Sequence, residues 1–129
     1  MDDELEAIRA RLRAEIMARA RPSGPVDLTD ATFDAFTAQH RIVLVDVWAA
    51  WCGPCRRMSP LVEELGRAWA GRVAIAKLDA DRAPAIVQRH RIQSIPTFLW
   101  FKDARLVGAL VGVQPRAAFE SVLAKLETP

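Results

Sequence analysis

The two cysteines of this chain stand two residues apart in Trp51-Cys52-Gly53-Pro54-Cys55. Thiols at that spacing sit close enough to close into a small disulfide ring. Gly53 and Pro54 shape the turn between them, and Pro54 suits the first turn of a helix, where its missing N–H is not needed. A helix starting here puts Cys52 at its N-terminus, where partial positive charge favours a thiolate. A thiolate beside a second thiol makes and breaks disulfides. Two other readings compete: a metal site and an inert cysteine pair. A zinc site takes about four ligands, and the other soft donors, His40 and His90, stand in no paired-ligand spacing.

Three further residues interrupt their surroundings. Asp46 lies inside the apolar run Ile42–Trp48. A carboxylate there is costly to bury, and desolvation raises its pKa, so it invites a functional reading. The bland alternative is a strand-end aspartate satisfied by its neighbours. Lys77 interrupts a second apolar run, Val73–Asp79, where a snorkelling surface lysine is the bland alternative. Pro96 precedes a strand pattern, an awkward place unless it ends pairing.

The elements that must hold these residues follow from periodicity. Ile42–Trp48 reads as a central strand covered on both faces. A helix from about Pro54 to Trp69 buries Met58, Leu61, Val62, Leu65 and Trp69, and Pro60 is expected to kink it. Val73–Asp79 is a second buried strand. Residues 82–90 predict a short helix with Pro84 in its first turn. Thr97–Lys102 and Arg105–Val111 predict an antiparallel pair across a tight turn. Pro115 opens a last helix with the stripe Phe119, Val122, Leu123 and Leu126. Upstream, Val26–Leu28 predicts a short first strand. Leu28, Thr29 and Phe33 fit an N-cap with a hydrophobic staple, opening a helix that turns Phe33 and Phe36 inward. Strands alternating with helices early and a hairpin late predict an α/β fold with a mixed sheet and helices on both faces.

Residues 3–20 predict a separate helix, with Leu5, Ile8, Leu12 and Ile16 recurring at spacings of three and four. It reads as a solvated extension, or as a helix for a partner or a second copy. Arg21-Pro22-Ser23-Gly24-Pro25 breaks it and reads as a linker. The expected division is therefore an extension, 1–24, and a domain, 25–129. A length of 129 residues, 51% hydrophobic and 26% charged, fits one domain with a real core. The net charge of +2, with bases scattered among acids, gives no footprint for nucleic acid. No segment approaches a membrane span. The acidic start Met1-Asp2-Asp3-Glu4 is a poor secretory signal, which points to the cytosol.

From Val26 onward the chain resembles the thioredoxin family. The resemblance rests on Val45-Asp46-Val47-Trp48-Ala49-Ala50-Trp51-Cys52-Gly53-Pro54-Cys55, then Ala76-Lys77-Leu78-Asp79, Ser94-Ile95-Pro96-Thr97 and Val111-Gly112, in the family's order and spacing. It implies a thioredoxin fold and a protein-disulfide reductase with no bound cofactor and no metal. Cys52 is then the attacking thiolate and Cys55 the resolving thiol, paired in the oxidised state. Asp46 lies beneath Cys55 as its base, and Lys77 tunes the proton transfer. Pro96 is cis and bares the backbone of Ile95 for an extended substrate. Trp51, Gly53, Pro54, Ile95, Pro96, Gly112 and Val113 form the docking surface, while Trp48 packs beneath the site. The implied partners are disulfide-containing proteins and a thioredoxin reductase, and a monomer is expected. The rival is a thioredoxin-fold binding module or chaperone subunit held through its N-terminal helix. Two positions depart from the family pattern. Ser94 stands where glycine is frequent. Asp103-Ala104 lacks the glycine common in that hairpin turn, which predicts another turn type.

Overall fold

A computed structural model describes residues 2–20 and 24–129, with side chains over 2–16 and from 24 onward. The expected linker therefore lies partly outside the described residues, at 21–23. The elements run α1 (Asp2–Ala20), β1 (Val26–Leu28), α2 (Phe33–Gln39), β2 (Ile42–Trp48), α3 (Gly53–Ala68), β3 (Ala74–Asp79), α4 (Pro84–Arg89), β4 (Thr97–Lys102), β5 (Arg105–Val111) and α5 (Arg116–Glu127). The five strands form one sheet in the order β1-β3-β2-β4-β5. β3 pairs parallel with β1 and β2, whereas β4 pairs antiparallel with β2 and β5. This is the expected mixed sheet.

Alternation along β2 divides the interior in two, because successive side chains of a strand point to opposite faces. Ile42 and Leu44 join Met58, Val62 and Leu65 of α3 and Phe119 and Leu123 of α5 on one face. Val43, Val45 and Val47 join Phe33 of α2 and Ile86 of α4 on the other. A strand covered on both faces needs the near-continuous apolar run that β2 has.

Three local details differ from the sequence reading. Thr29 does not cap α2. A turn intervenes, with the Thr29 carbonyl accepting from Thr32 N–H at 3.2 Å and Phe33 N–H at 3.1 Å. The Thr32 hydroxyl in turn accepts from Thr29 N–H at 2.9 Å. Residues 82–90 are not one helix: a 3₁₀ turn, Ala80–Arg82, stops at Ala83 before α4 begins. Ala83 sits at φ −130°, ψ 57°, outside the α region that the residue before a proline avoids. α3 remains helical through Pro60, from Gly53 to Ala68. Finally, Asp103 and Ala104 both keep positive φ, at 52° and 66°. The turn thus retains the doubly left-handed form that suits a twisted hairpin, at a cost to Ala104 of about 1–2 kcal/mol.

α4 lacks a cap of its own. Asp30, between β1 and α2, supplies one from a distance: its carboxylate accepts from Ala85 N–H at 3.2 Å and Ile86 N–H at 3.1 Å. The Arg89 guanidinium of α4 donates to both Asp34 oxygens of α2, at 2.6 and 3.2 Å. α1 is different in kind. Every side chain from Asp2 to Ile16 is exposed, its apolar stripe included.

Candidate active site

β2 ends at Trp48, and the chain turns through Ala49-Ala50-Trp51 into α3. That short connection delivers Cys52 to the helix N-cap. There its Sγ accepts a hydrogen bond from Cys55 N–H at 3.2 Å. Pro54 occupies the first turn, where it forfeits no helical bond. Cys52 and Cys55 form a disulfide with Cα atoms 5.3 Å apart. Both are buried, in a small cluster with Ala49 against which Trp48 and Ile95 pack. Burial therefore does not distinguish the two sulfurs. Position does: Cys52 Sγ faces the helix's unpaired amides, which stabilise negative charge.

The sheet carries the titratable groups. Asp46 shares the strand parity of Ile42 and Leu44, so it points to the face that α3 covers. By the same alternation Lys77 shares the face of Ile75. The two are register partners across the parallel β2–β3 pair, and Phe98 flanks Asp46 on the other side. Asp46 is 1% exposed, and neither carboxylate oxygen has a hydrogen-bond partner in the protein. Burial pushes its pKa up to about 6, and the charge of Lys77 only partly offsets that. Lys77 Nζ lies 5.2 Å from the centre of the Trp48 ring, within cation–π reach. Trp48 is half-buried, as expected of packing beneath the site.

The surface around the disulfide is apolar. Trp51 is 68% exposed, and Val111 and Val113 are exposed as well. Gly53 is exposed, Pro54, Ile95 and Gly112 are half-buried, and Pro96 is buried. The Ile95–Pro96 bond is cis. Gly112, at φ 83°, donates its N–H to the Pro96 carbonyl at 2.8 Å. That bond brings the end of β5 onto the loop before β4. A left-handed backbone at this point favours glycine.

One contact was not legible in the sequence. Trp51 Nε1–H donates to Asp81 Oδ2 at 2.9 Å, fixing the exposed indole. Nothing local links residues 51 and 81. They meet because Trp48 and Asp79 are register partners, so the segments leaving β2 and β3 emerge side by side. Among the described residues no group of three or more His, Cys, Asp or Glu side chains converges as a metal site would require. No described helix is long and apolar enough to cross a membrane.

The sequence model of the Thioredoxin family matches residues 24–125. The chain belongs to the Thioredoxin family. A thioredoxin from Alicyclobacillus acidocaldarius is 47% identical over 97 residues, which cover 75% of this chain and 92% of that protein. One from Staphylococcus aureus is 42% identical over 100 residues, 78% of this chain and 95% of that one. Among solved structures, a mutant thioredoxin from Halobacterium salinarum superposes with a TM-score of 0.76 at 29% identity, covering 84% of this chain and 95% of that one. Plasmodium falciparum thioredoxin gives 0.72 at 32% identity, covering 78% and 97%. As a member of this family the chain is a protein-disulfide oxidoreductase, and the Cys52–Cys55 pair is what such an enzyme requires. A thioredoxin fold used purely for binding is not favoured. The family match spans residues 24–125, redox pair included.

Proposed function

We propose that the chain reduces protein disulfides through an asymmetric pair in which Cys52 attacks and Cys55 resolves. The observation that carries this reading is the place of Cys52: it caps α3, and its sulfur already accepts an amide hydrogen bond. The Cys52 thiolate attacks one sulfur of a substrate disulfide. The substrate S–S bond breaks, one substrate sulfur leaves as a thiolate and takes up a proton, and a mixed disulfide remains. Cys55, deprotonated by Asp46, then attacks Cys52 Sγ. The second substrate thiol leaves, and the Cys52–Cys55 bond closes with two electrons passed to the substrate.

An acceptor with a pKa of about 6 suits that proton transfer near neutral pH. Lys77, on the same face, opposes the rise in the Asp46 pKa and so tunes it. Trp51, Gly53, Pro54, Ile95, Pro96, Gly112 and Val113 dock the substrate as an extended segment against Ile95, with Asp81 holding the Trp51 indole in place. A thioredoxin reductase returns the pair to the dithiol. The setting is the cytosol. The catalytic unit is the single domain, 25–129, and residues 1–24 are an appendage to it.

The test is the inequality of the two thiols. In the reduced protein at neutral pH, iodoacetamide should alkylate Cys52 much faster than Cys55. Cys55→Ser should trap a mixed disulfide with insulin, and Cys52→Ser should trap none. Equal alkylation rates by mass spectrometry would overturn the assignment.

A further inference from the structure

We propose that α1 is a self-association helix, pairing antiparallel with α1 of a second copy of this chain. Leu5, Ile8 and Leu12 are each exposed, at 52%, 46% and 51%. They share one face at spacings of three and four, the narrow stripe of a two-helix seam. The charges around that stripe are self-complementary when the helix meets its own reverse. Set Ile8 opposite Ile8 of the second copy. Leu5 then faces Leu12 and Glu4 faces Arg11, while Glu6 comes level with Arg9 and Asp2 with Arg13 further from the seam, all within about one residue of register. At about 100° per residue, the members of each charged pair also fall on the same flank of the stripe, as an antiparallel two-fold requires. The two-fold repeats each pair. Parallel pairing instead sets the acidic start against an acidic start and Arg9, Arg11 and Arg13 against one another.

The attachment of the domain agrees. It joins α1 at the C-terminal end, so antiparallel pairing sends the two domains toward opposite ends of the seam. The contact is short, well below the size of a stable protein interface. Association is therefore weak, with a dissociation constant between about 10 µM and about 1 mM. The monomer expected from the sequence is the dilute form.

Sedimentation equilibrium of the full-length oxidised protein tests this. The described chain has no free cysteine, so covalent dimers do not intrude. The weight-average mass should rise toward the dimer with concentration, and Leu12→Ser should weaken association at least about tenfold. Glu4→Arg and Arg11→Glu should each weaken it several-fold, and an equal mixture of the two should recover the wild-type constant, because each unlike pair is then restored. The acids early and the bases later also suit the helix dipole of α1 by itself. That explanation gives no recovery on mixing, since a helix weakened within its own chain stays weak. A protein that stays monomeric up to about 1 mM, or a mixture that associates no better than its components, overturns the proposal.

Discussion

α1 and α3 carry the same kind of signal and meet opposite fates. Both repeat apolar residues at spacings of three and four. In α3 that stripe is sealed: Met58, Val62, Leu65 and Trp69 are all buried against the sheet. In α1 it lies open, with Leu5, Ile8, Leu12 and Ile16 between 46% and 64% exposed. The difference comes from how each helix is joined to the rest. α3 leaves β2 through a tight turn closed by Cys52 N–H donating to the Ala49 carbonyl at 3.1 Å, so its face is aimed at the strand that precedes it. α1 is joined to β1 through Arg21-Pro22-Ser23-Gly24-Pro25, residue types that favour a break over a tight turn back onto the helix. Periodicity tells which face of a helix is apolar, and only connectivity tells what covers it.

The largest test of that contrast is to remove one leucine from each stripe. Leu65→Ala should cost about 3–4 kcal/mol, because Leu65 is fully buried and its loss leaves a cavity. Leu12→Ala, measured at about 1 µM so that the chain is monomeric, should change unfolding free energy by under about 0.5 kcal/mol. Urea denaturation midpoints read both. Comparable losses would mean that α1 packs on the domain in solution.

The charge sealed under α3 gives the next effect. The pKa of Asp46 is raised in the folded state, so the folded protein binds the proton more tightly than the unfolded chain does. The contribution of Asp46 to stability is therefore greatest below the unfolded value near 3.8 and falls as pH rises toward about 6. Above that, the ionised carboxylate costs on the order of 3 kcal/mol. Asp46→Asn should then stabilise the protein by about 2–3 kcal/mol at about pH 8 and by much less at about pH 4, even as turnover drops. A stability gap between variant and wild type that does not shrink with acid would show that Asp46 stays satisfied when ionised.

The smallest effect belongs to the whole extension. Deleting residues 1–24 should leave insulin reduction by the domain within about threefold, under about 1 kcal/mol in barrier height. Lost turnover or lost folding in the truncated protein would make α1 part of the core.

What the sequence disclosed follows the same division between local and distant causes. β2 and β4 emerge with the bounds read from their apolar runs, because a strand buried on one or both faces writes its burial into consecutive residues; β5 keeps its expected bounds although most of it is exposed. Cys52, Gly53 and Pro54 are legible for a similar reason, since cap, turn and first helical residue are neighbours. The break at Ala83 was within reach too, given Pro84, but the helical pattern across 82–90 hid it. The Trp51–Asp81 bond and the cap that Asp30 lends to α4 were out of reach. Each joins residues whose approach depends on the register of strands between them. The Asp103-Ala104 turn misled for another reason: the hairpin's pairing imposed a conformation that Ala alone disfavours.

The borrowed cap of α4 has a consequence for how the molecule breathes. A helix of six residues, Pro84–Arg89, with its first amides held by Asp30 and its last side chain by Asp34, has little stability that is its own. Its amide protons should exchange with deuterium at the rate set by openings of the β1–α2 segment, not by fraying of α4 itself. The two stretches, more than 50 residues apart in the chain, would then report one opening event in a native-state exchange experiment.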